Sequence, residues 1–133
     1  MEARFLDEVK DRIDLSRVHF TGTLPHAQML AVLSISRALL SWSLLEAMAC
    51  ECLVIGSDTA PVRDAILPGE NGILLDFFDH EALSEALMRA CRRPDDFLEL
   101  RRAARERVIS QFNRAACASA WVELLEGLCA RPH

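Results

Sequence analysis

Ser43 and Glu46 are the residues whose types and spacing could do chemistry in this chain. A serine followed three residues later by a glutamate is a capping box, in which each side chain accepts a hydrogen bond from the backbone amide of the other residue. Strong helix formers follow Ser43, so a helix is predicted to begin there. Because the N-terminus of a helix binds anions such as phosphate, this stretch predicts an anion site.

The predicted helix leads directly into a buried strand. Residues 52–55 are apolar and partly β-branched, and the run ends at Gly56. A continuous apolar run bounded by turn residues is typical of a strand that is covered on both faces. The predicted anion site therefore lies beside a sheet.

Composition bounds the class of protein. The chain has 133 residues, of which 51% are hydrophobic and 26% charged, which fits one globular domain over residues 1–133. Its net charge of -5 argues against binding to nucleic acid or to an anionic membrane. Apolar runs end well before the ~18 residues that a transmembrane helix needs, and the charged start predicts no signal peptide.

Five cysteines without a predicted signal peptide indicate free thiols and a cytoplasmic location. Cys50 and Cys52 form a C-x-C pair, but no second cluster of Cys or His stands near them to complete a metal site. Buried small residues are the favoured interpretation of this pair, and no metal site is predicted.

Short apolar runs alternate with helical patterns along the chain. Strands are predicted at residues 18–20, 38–40, 52–55 and 73–75, and helices at 2–12, 25–34, 43–50, 61–66, from Asp79, after Pro94 and from Asn113. This alternation predicts an α/β, Rossmann-like, three-layer domain with a short parallel sheet, helices on both faces and C-terminal helices appended. Ligands of such sheets bind at the carboxyl ends of the strands, near residues 21–23, 41–43, 57–60 and 76–78.

An ordered series of motifs resembles the C-terminal domain of family 4 glycosyltransferases, which are retaining enzymes of the GT-B fold. The series consists of LEAMAC at residues 45–50, LVIGS at 53–57, VRDAI at 62–66 and GENGILL at 69–75. VHFTG at 18–22 and DFFD at 76–79 resemble flanking parts of the same domain. The resemblance covers residues 15–125, and the ordered series is more specific than any single motif.

The resemblance implies a site for a nucleotide-sugar donor, a UDP- or GDP-sugar. Glu46 matches the family's glutamate that binds the ribose hydroxyls, and a carboxylate can accept two hydrogen bonds from a vicinal diol. The backbone amides that receive the diphosphate are, by the same resemblance, those of Ser41, Trp42 and Ser43.

The turn after the early strand lies near the base in this family, which implies a contact from Gly22 and Thr23. The family needs no metal and no cofactor, because helix-terminus amides and basic side chains carry the phosphate charge. The partner expected for the domain is therefore the nucleotide-sugar donor.

Three local departures from the family pattern affect these expectations. The family has two glutamates separated by seven residues, and Ala38 stands at the first of these positions, where a carboxylate usually contacts the donor sugar. Ser41-Trp42-Ser43 replaces the usual glycine-rich loop, as it does in a subset of bacterial members. Glu51 replaces a glycine after the helix, where a left-handed residue other than glycine costs roughly 1 kcal/mol.

The extent of the chain is the largest departure. The acceptor domain and the basic Arg/Lys pair of the family lie upstream of the residues present, so a partial domain without activity of its own is expected. Possible partners are a separate acceptor domain or a second copy of the chain.

Several residues have a plain structural alternative. Glu46 could act only as half of the capping box, although the two roles are compatible. Trp42 could stack on a sugar or base, or pack against the protein.

Residues outside the candidate site also have a structural interpretation. Arg63 and Asp64 suit an ordinary surface pair. The arginines of residues 101–107 suit a solvated helix face with internal ion pairs. Trp121 and the leucines after it suit a core stripe, part of which would be exposed without a second domain.

Two other functions compete with the glycosyltransferase interpretation. One is a noncatalytic interaction module that pairs with another chain, which Ala38 and Glu51 favour. The other is an unrelated Rossmann-like nucleotide binder, which lacks support because neither G-x-G-x-x-G nor a Walker-type loop occurs in the sequence.

Overall fold

A computed structural model of the chain describes residues 11–12, 14–40 and 44–129. Strands β1 (Ala38–Leu40), β2 (Leu53–Ser57) and β3 (Ile73–Leu75) form a parallel sheet in the order β1-β2-β3. The described α-helices are α1 (His26–Ile35), α2 (Leu44–Ala49), α3 (Ala60–Ala65), α4 (His80–Arg92), α5 (Leu98–Gln111) and α6 (Arg114–Cys129). Short 3-10 helices span Leu15–Arg17 and Pro94–Phe97.

The central strand β2 is covered on both faces, as its continuous apolar sequence predicts. Cys52, which immediately precedes β2, and Val54 pack with α1, α2, α3 and α5. Leu53 and Ile55 pack with α4, the second 3-10 helix and the start of α5. All four side chains are at most 2% exposed. Helices therefore lie on both faces of a short parallel sheet, and the predicted Rossmann-like class is confirmed.

A tight left-handed turn joins α2 to β2. The amide of Cys52 donates to the carbonyl of Ala47 at 2.9 Å, and the amide of Glu51 donates to that of Met48 at 3.1 Å. This pair of hydrogen bonds is a Schellman motif, whose left-handed residue is usually glycine. Here that residue is Glu51, with φ at 54°, so the left-handed backbone expected at this position is confirmed.

Replacing Glu51 by glycine is expected to raise the free energy of unfolding by about 1 kcal/mol, because glycine adopts the left-handed conformation without the Cβ penalty. Urea denaturation of the wild-type chain and of Glu51→Gly would measure the difference. The matched control is Glu51→Ala, which keeps the left-handed strain and is expected to give no gain. A stability of Glu51→Gly equal to that of Glu51→Ala would contradict the strain argument.

The GENG segment positions the start of β3 through one buried side chain and two glycines. Asn71, 3% exposed, accepts a hydrogen bond from the amide of Leu67 at 2.7 Å and donates one to the carbonyl of Ala65 at 3.1 Å. Gly69 turns the chain with φ at 77°. A Cβ on Gly72 would lie 3.0 Å from Cγ2 of Ile66 and 3.2 Å from the backbone oxygen of Val54, so a side chain at this position would force these neighbours to shift.

Two predicted helix starts are confirmed by their caps. The side chain of Asp79 accepts a hydrogen bond from the amide of Ala82 at 2.9 Å, and that of Asn113 accepts one from the amide of Ala116 at 2.9 Å. The helix predicted over residues 2–12 falls outside the described residues, apart from Asp11 and Arg12, which lie in a turn.

The strand predicted at residues 18–20 is wrong. These residues belong to no strand or helix, and Val18 and Phe20 are 40% and 48% exposed. In the sheet that the structure describes, β1 pairs with β2 alone. Three alternating residues have weak strand propensity by themselves, and a strand forms only where a neighbouring strand can pair with it.

Helix α6 contradicts the interpretation of Trp121 as a core residue. None of the residues of α6 is buried. Its large apolar side chains are exposed, Trp121 at 63% and Val122, Leu124, Leu125 and Leu128 at 53–54%. The alternative expectation, an exposed apolar stripe, is the one that the structure confirms.

Candidate functional site

The carboxyl ends of β2 and β3 meet at one edge of the sheet. The parallel register pairs Ser57 with Leu75, and the amide of Asp58 donates to the carbonyl of Leu75 at 2.8 Å. The segments that follow these strands, residues 58–60 and 76–79, therefore lie side by side, as predicted for a ligand-binding rim. β1 runs in the same direction, so the chain also leaves β1 at this edge and enters α2 soon after.

Glu46 lies in the first turn of α2, close to this edge. Leu44, Ala47 and Met48 form the buried face of the helix, at 7%, 0% and 0% exposure. Glu46 has intermediate exposure, because it stands on the side of the helix away from those three residues. Glu46 is thus not enclosed in the core.

The amides predicted to receive a diphosphate fall on Ser41, Trp42 and Ser43, which lie outside the described residues. The capping box between Ser43 and Glu46 is untested for the same reason. Both stay predictions.

Gly22 and Thr23 lie in the exposed segment between residues 18–20 and α1. Gly22 has a left-handed backbone, with φ at 61°, and the hydroxyl of Thr21 donates to its carbonyl at 3.3 Å. No hydrogen bond found among the described residues joins this turn to the edge that carries Glu46. The proposed contact of the turn with a base stays a prediction.

A bidentate ion pair that sequence reasoning missed forms the rim after β2. Arg63 donates from Nε to Oδ1 of Asp58 at 2.5 Å and from Nη2 to Oδ2 at 2.8 Å, so its partner is Asp58 and not Asp64. Hydrogen bonds from Arg63 lower the pKa of the Asp58 carboxyl from its ordinary value. The stabilisation by this pair is therefore present at neutral pH and is lost as the pH falls through the lowered pKa.

Arginines of α5 bind the carboxyl ends of two other helices. Arg101 donates from Nε to the carbonyl of Glu51 at 2.5 Å, and Arg105 donates to the carbonyl of Ala49. Arg107 donates to the carbonyl of Asp64, near the end of α3, at 3.0 Å.

These contacts correct the interpretation of the arginines as a solvated face. It holds for Arg102, which is exposed and pairs with Glu99 of its own helix at 3.0 Å. Arg105 is exposed too, but the expected pairing within the helix is wrong for Arg101, Arg105 and Arg107, because their partners lie outside α5. The sequence carries no local signal for these contacts, because the partners lie 43 to 56 positions away in the chain.

A cavity of about 510 Å³ lies elsewhere, between β3, α4 and the second 3-10 helix. Its lining includes Leu75, Ala86 and Phe97, with Arg89 and Glu85 among its polar residues. Of the predicted donor-binding residues that the structure describes, Glu46, Gly22 and Thr23, none lines it. Large cavities are common ligand sites, but an apolar floor suits a diphosphate poorly, and the carboxyl edge of the sheet is the better candidate.

Other chemistry is limited in the described part of the chain. Within residues 11–12, 14–40 and 44–129, no three His, Cys, Asp or Glu side chains form a group that could hold a metal ion. Cys52 is buried, and burial raises the pKa of its thiol. The same residues include no helix of the length and apolar character that crossing a membrane requires.

The fold and the position of Glu46 define a Rossmann-like domain with a candidate ligand site at the carboxyl edge of its sheet. Residues 2–110 match the family "Glycosyl transferases group 1". Since the match covers most of the chain, the chain belongs to this family, and the resemblance inferred from the motifs is confirmed.

Individual relatives agree with this assignment. The alpha-maltose-1-phosphate synthase of Mycolicibacterium smegmatis is 36% identical over 86 residues, which are 60% of this chain and 22% of that protein. A sucrose-phosphate synthase structure from Thermosynechococcus elongatus superposes with a TM-score of 0.87 and 28% identity, over 96% of this chain and 34% of that one.

The structure of TarM shares the fold, with a TM-score of 0.77 and 18% identity over 92% of this chain and 26% of that one. The chain thus spans between about a fifth and a third of the length of the proteins that it matches.

Proposed function

We propose that this chain is the donor-binding domain of a glycosyltransferase and that it binds a nucleotide-activated hexose. The observation that carries the proposal is the place of Glu46, in the first turn of α2, at the carboxyl edge of the sheet and outside the core. Family membership over residues 2–110 supports it, as do two relatives named for the synthesis of sugar phosphates.

The proposed chemistry is transfer of the sugar with retention at the anomeric carbon. Glu46 accepts hydrogen bonds from the ribose hydroxyls, and the amides of Ser41, Trp42 and Ser43 hold the diphosphate leaving group at the helix N-terminus. These amides carry the phosphate charge, so the proposal includes no metal and no cofactor.

We further propose that residues 1–133 bind the donor without turning it over. Ala38, the first residue of β1, stands where the family has a carboxylate against the donor sugar and offers only a methyl group. We propose that a separate domain holds the acceptor, since the chain covers no more than 34% of the compared proteins. The chain's contribution is then to bind and orient the donor.

Titration calorimetry with UDP and with GDP tests the proposal. We expect one of the two nucleotides to bind, and Glu46→Ala to raise its Kd about tenfold or more, because a hydrogen-bonded charged group at a ligand contributes that much. The matched control is Glu85→Ala, which removes a carboxylate from the rim of the apolar cavity and is expected to leave the Kd unchanged.

Absence of binding at millimolar nucleotide would contradict the proposal, and so would a Kd that Glu46→Ala leaves unchanged. Weaker binding in Glu85→Ala with normal binding in Glu46→Ala would move the site to the cavity.

A noncatalytic pairing module is the second candidate function, and the exposure of α6 favours it. Trp121, Leu124 and Leu128 lie at helical spacing, and each is more than half exposed, which is typical of a surface that another chain or domain covers. Gel filtration distinguishes the two functions. A defined dimer without nucleotide binding would favour the module, and a monomer that binds nucleotide would favour the donor domain.

A further inference from the structure

We propose that Arg101 and Arg105 of α5 are positioning residues for donor binding. They hold the carboxyl end of α2 and so set where Glu46 lies at the sheet edge. This inference rests on the proposed function, since it assigns to the two arginines a part in the same site.

The contacts at the end of α2 carry the inference. Arg101 donates from Nε to the carbonyl of Glu51 at 2.5 Å, and Arg105 donates to the carbonyl of Ala49. Nε of Arg105 also lies 3.6 Å from Oε1 of Glu51. Two guanidinium groups thus bind both the last residue of the helix and the left-handed residue that ends it.

Both contacts counteract an unfavourable feature of this helix end. The last carbonyls of a helix have no partner within the helix and carry the negative end of its dipole, which a cation stabilises. Glu51 adds the strain of a left-handed conformation in a residue other than glycine, with φ at 54°. The arginines hold this residue by its backbone and by its carboxylate, so the turn keeps its shape without glycine.

The short length of α2 connects the contacts to the site. The helix has six residues, and at about 1.5 Å of rise per residue Glu46 stands roughly 4.5 Å along the axis from Ala49. Less than one helical turn therefore separates Glu46 from the held carbonyl of Ala49. A shift of the carboxyl end would move Glu46 by a similar distance, since the helix behaves as one rigid unit.

Arg101 and Arg105 are proposed to act through α2. A variant at Arg102 distinguishes this role from a general effect of the charge of α5. Arg102 lies on the same helix but pairs with Glu99 at 3.0 Å, within that helix. Removing Arg102 takes one positive charge from α5, as removing either Arg101 or Arg105 alone does, and leaves the end of α2 untouched. Arg102→Ala is therefore the matched control.

The experiment compares the wild-type chain, the double variant Arg101→Ala/Arg105→Ala, the double variant with lysine at both positions, and Arg102→Ala. The Kd for UDP and GDP is measured by calorimetry at a temperature where circular dichroism shows every variant to be fully folded. Hydrogen exchange of the amides of Cys50, Glu51 and Cys52 reports the state of the helix end without any nucleotide.

We expect the double alanine variant to raise the Kd about tenfold and to speed exchange of these amides. We expect Arg102→Ala to change neither quantity. The lysine variant should recover part of the affinity, because an ammonium group can donate to one carbonyl but cannot reproduce the fork of a guanidinium.

Faster exchange with an unchanged Kd would show a structural contact that does not position Glu46 and would overturn the inference. Unchanged exchange and unchanged Kd would overturn it too. If the wild-type chain binds neither nucleotide, the proposed function fails and the inference fails with it. If the wild-type chain binds a nucleotide and the double alanine variant binds it equally well, only the inference fails.

Discussion

Replacing Asn71 by leucine is expected to lower the free energy of unfolding by about 3 kcal/mol. Leucine has a similar shape but can neither accept the hydrogen bond from the amide of Leu67 at 2.7 Å nor donate to the carbonyl of Ala65 at 3.1 Å. At this site, 3% exposed, water cannot replace the lost partners, and each buried group left unsatisfied costs about 1–3 kcal/mol. Domains of this size have only about 5–15 kcal/mol in total.

Urea denaturation followed by circular dichroism would measure this loss. Glu70→Ala is the matched control, since Glu70 occupies the neighbouring position of the same loop and its side chain is exposed. It is expected to change stability by less than about 0.5 kcal/mol. Asn71→Asp keeps the acceptor and loses the donor, so a loss is expected there too. A leucine variant as stable as the control would show that the loop does not depend on Asn71.

The local patterns of the sequence predicted the elements that form around β2. Residues 52–55 are apolar without interruption, and β2 is the strand with a neighbour on each side. β1 and β3 pair with it in parallel register, and the caps at Asp79 and Asn113 depend only on residues three positions apart. Predictions of this kind succeed because the interactions that decide them lie within one element and its immediate neighbours.

The wrong prediction at residues 18–20 has a cause in the topology. In the doubly wound order 3-2-1-4-5-6, strands 4, 5 and 6 are consecutive neighbours, whereas strand 3 pairs with strand 2 at the far side of strand 1. β1, β2 and β3 are consecutive neighbours in the same way. Strand 3 of this order precedes strand 4 in the chain without lying beside it, so a segment before β1 need not pair with β1, and residues 18–20 pair with no strand among the described residues.

Part of the candidate site was beyond sequence reasoning. Glu46 could be predicted, because its signal lies in the six residues around it and in the family resemblance. The contacts of Arg101 and Arg105 join residues 50 and 56 positions apart, and that of Arg107 joins residues 43 positions apart. Periodicity compares residues of one helix, so it assigned these arginines to partners within α5.

Periodicity within one helix also fails to predict whether the apolar face of that helix is buried. In both α2 and α6 the apolar residues recur at helical spacing, yet Met48 is 0% exposed and Trp121 is 63% exposed. Periodicity identifies the face of a helix that favours contact with apolar surface. It does not identify the surface that covers this face, and within the described part of the chain no residue of α6 is buried.

This difference leads to a second large expected effect, in which Met48→Ala and Trp121→Ala have opposite outcomes. Met48 packs in the cluster that joins α1, α2, α3 and α5, so Met48→Ala is expected to lower the free energy of unfolding by about 2–5 kcal/mol. Trp121→Ala removes a larger side chain but is expected to change the free energy of unfolding by less than about 0.5 kcal/mol, because no residue of α6 is buried.

Urea denaturation at micromolar protein concentration would measure both changes, and Met48→Leu is the control that keeps the volume, with an expected loss below about 1.5 kcal/mol. If Trp121→Ala costs more than about 1 kcal/mol, α6 is packed in solution. Repeating the measurement at several protein concentrations then identifies what covers it: a cost that grows with concentration indicates a second copy, and a constant cost indicates packing within the chain.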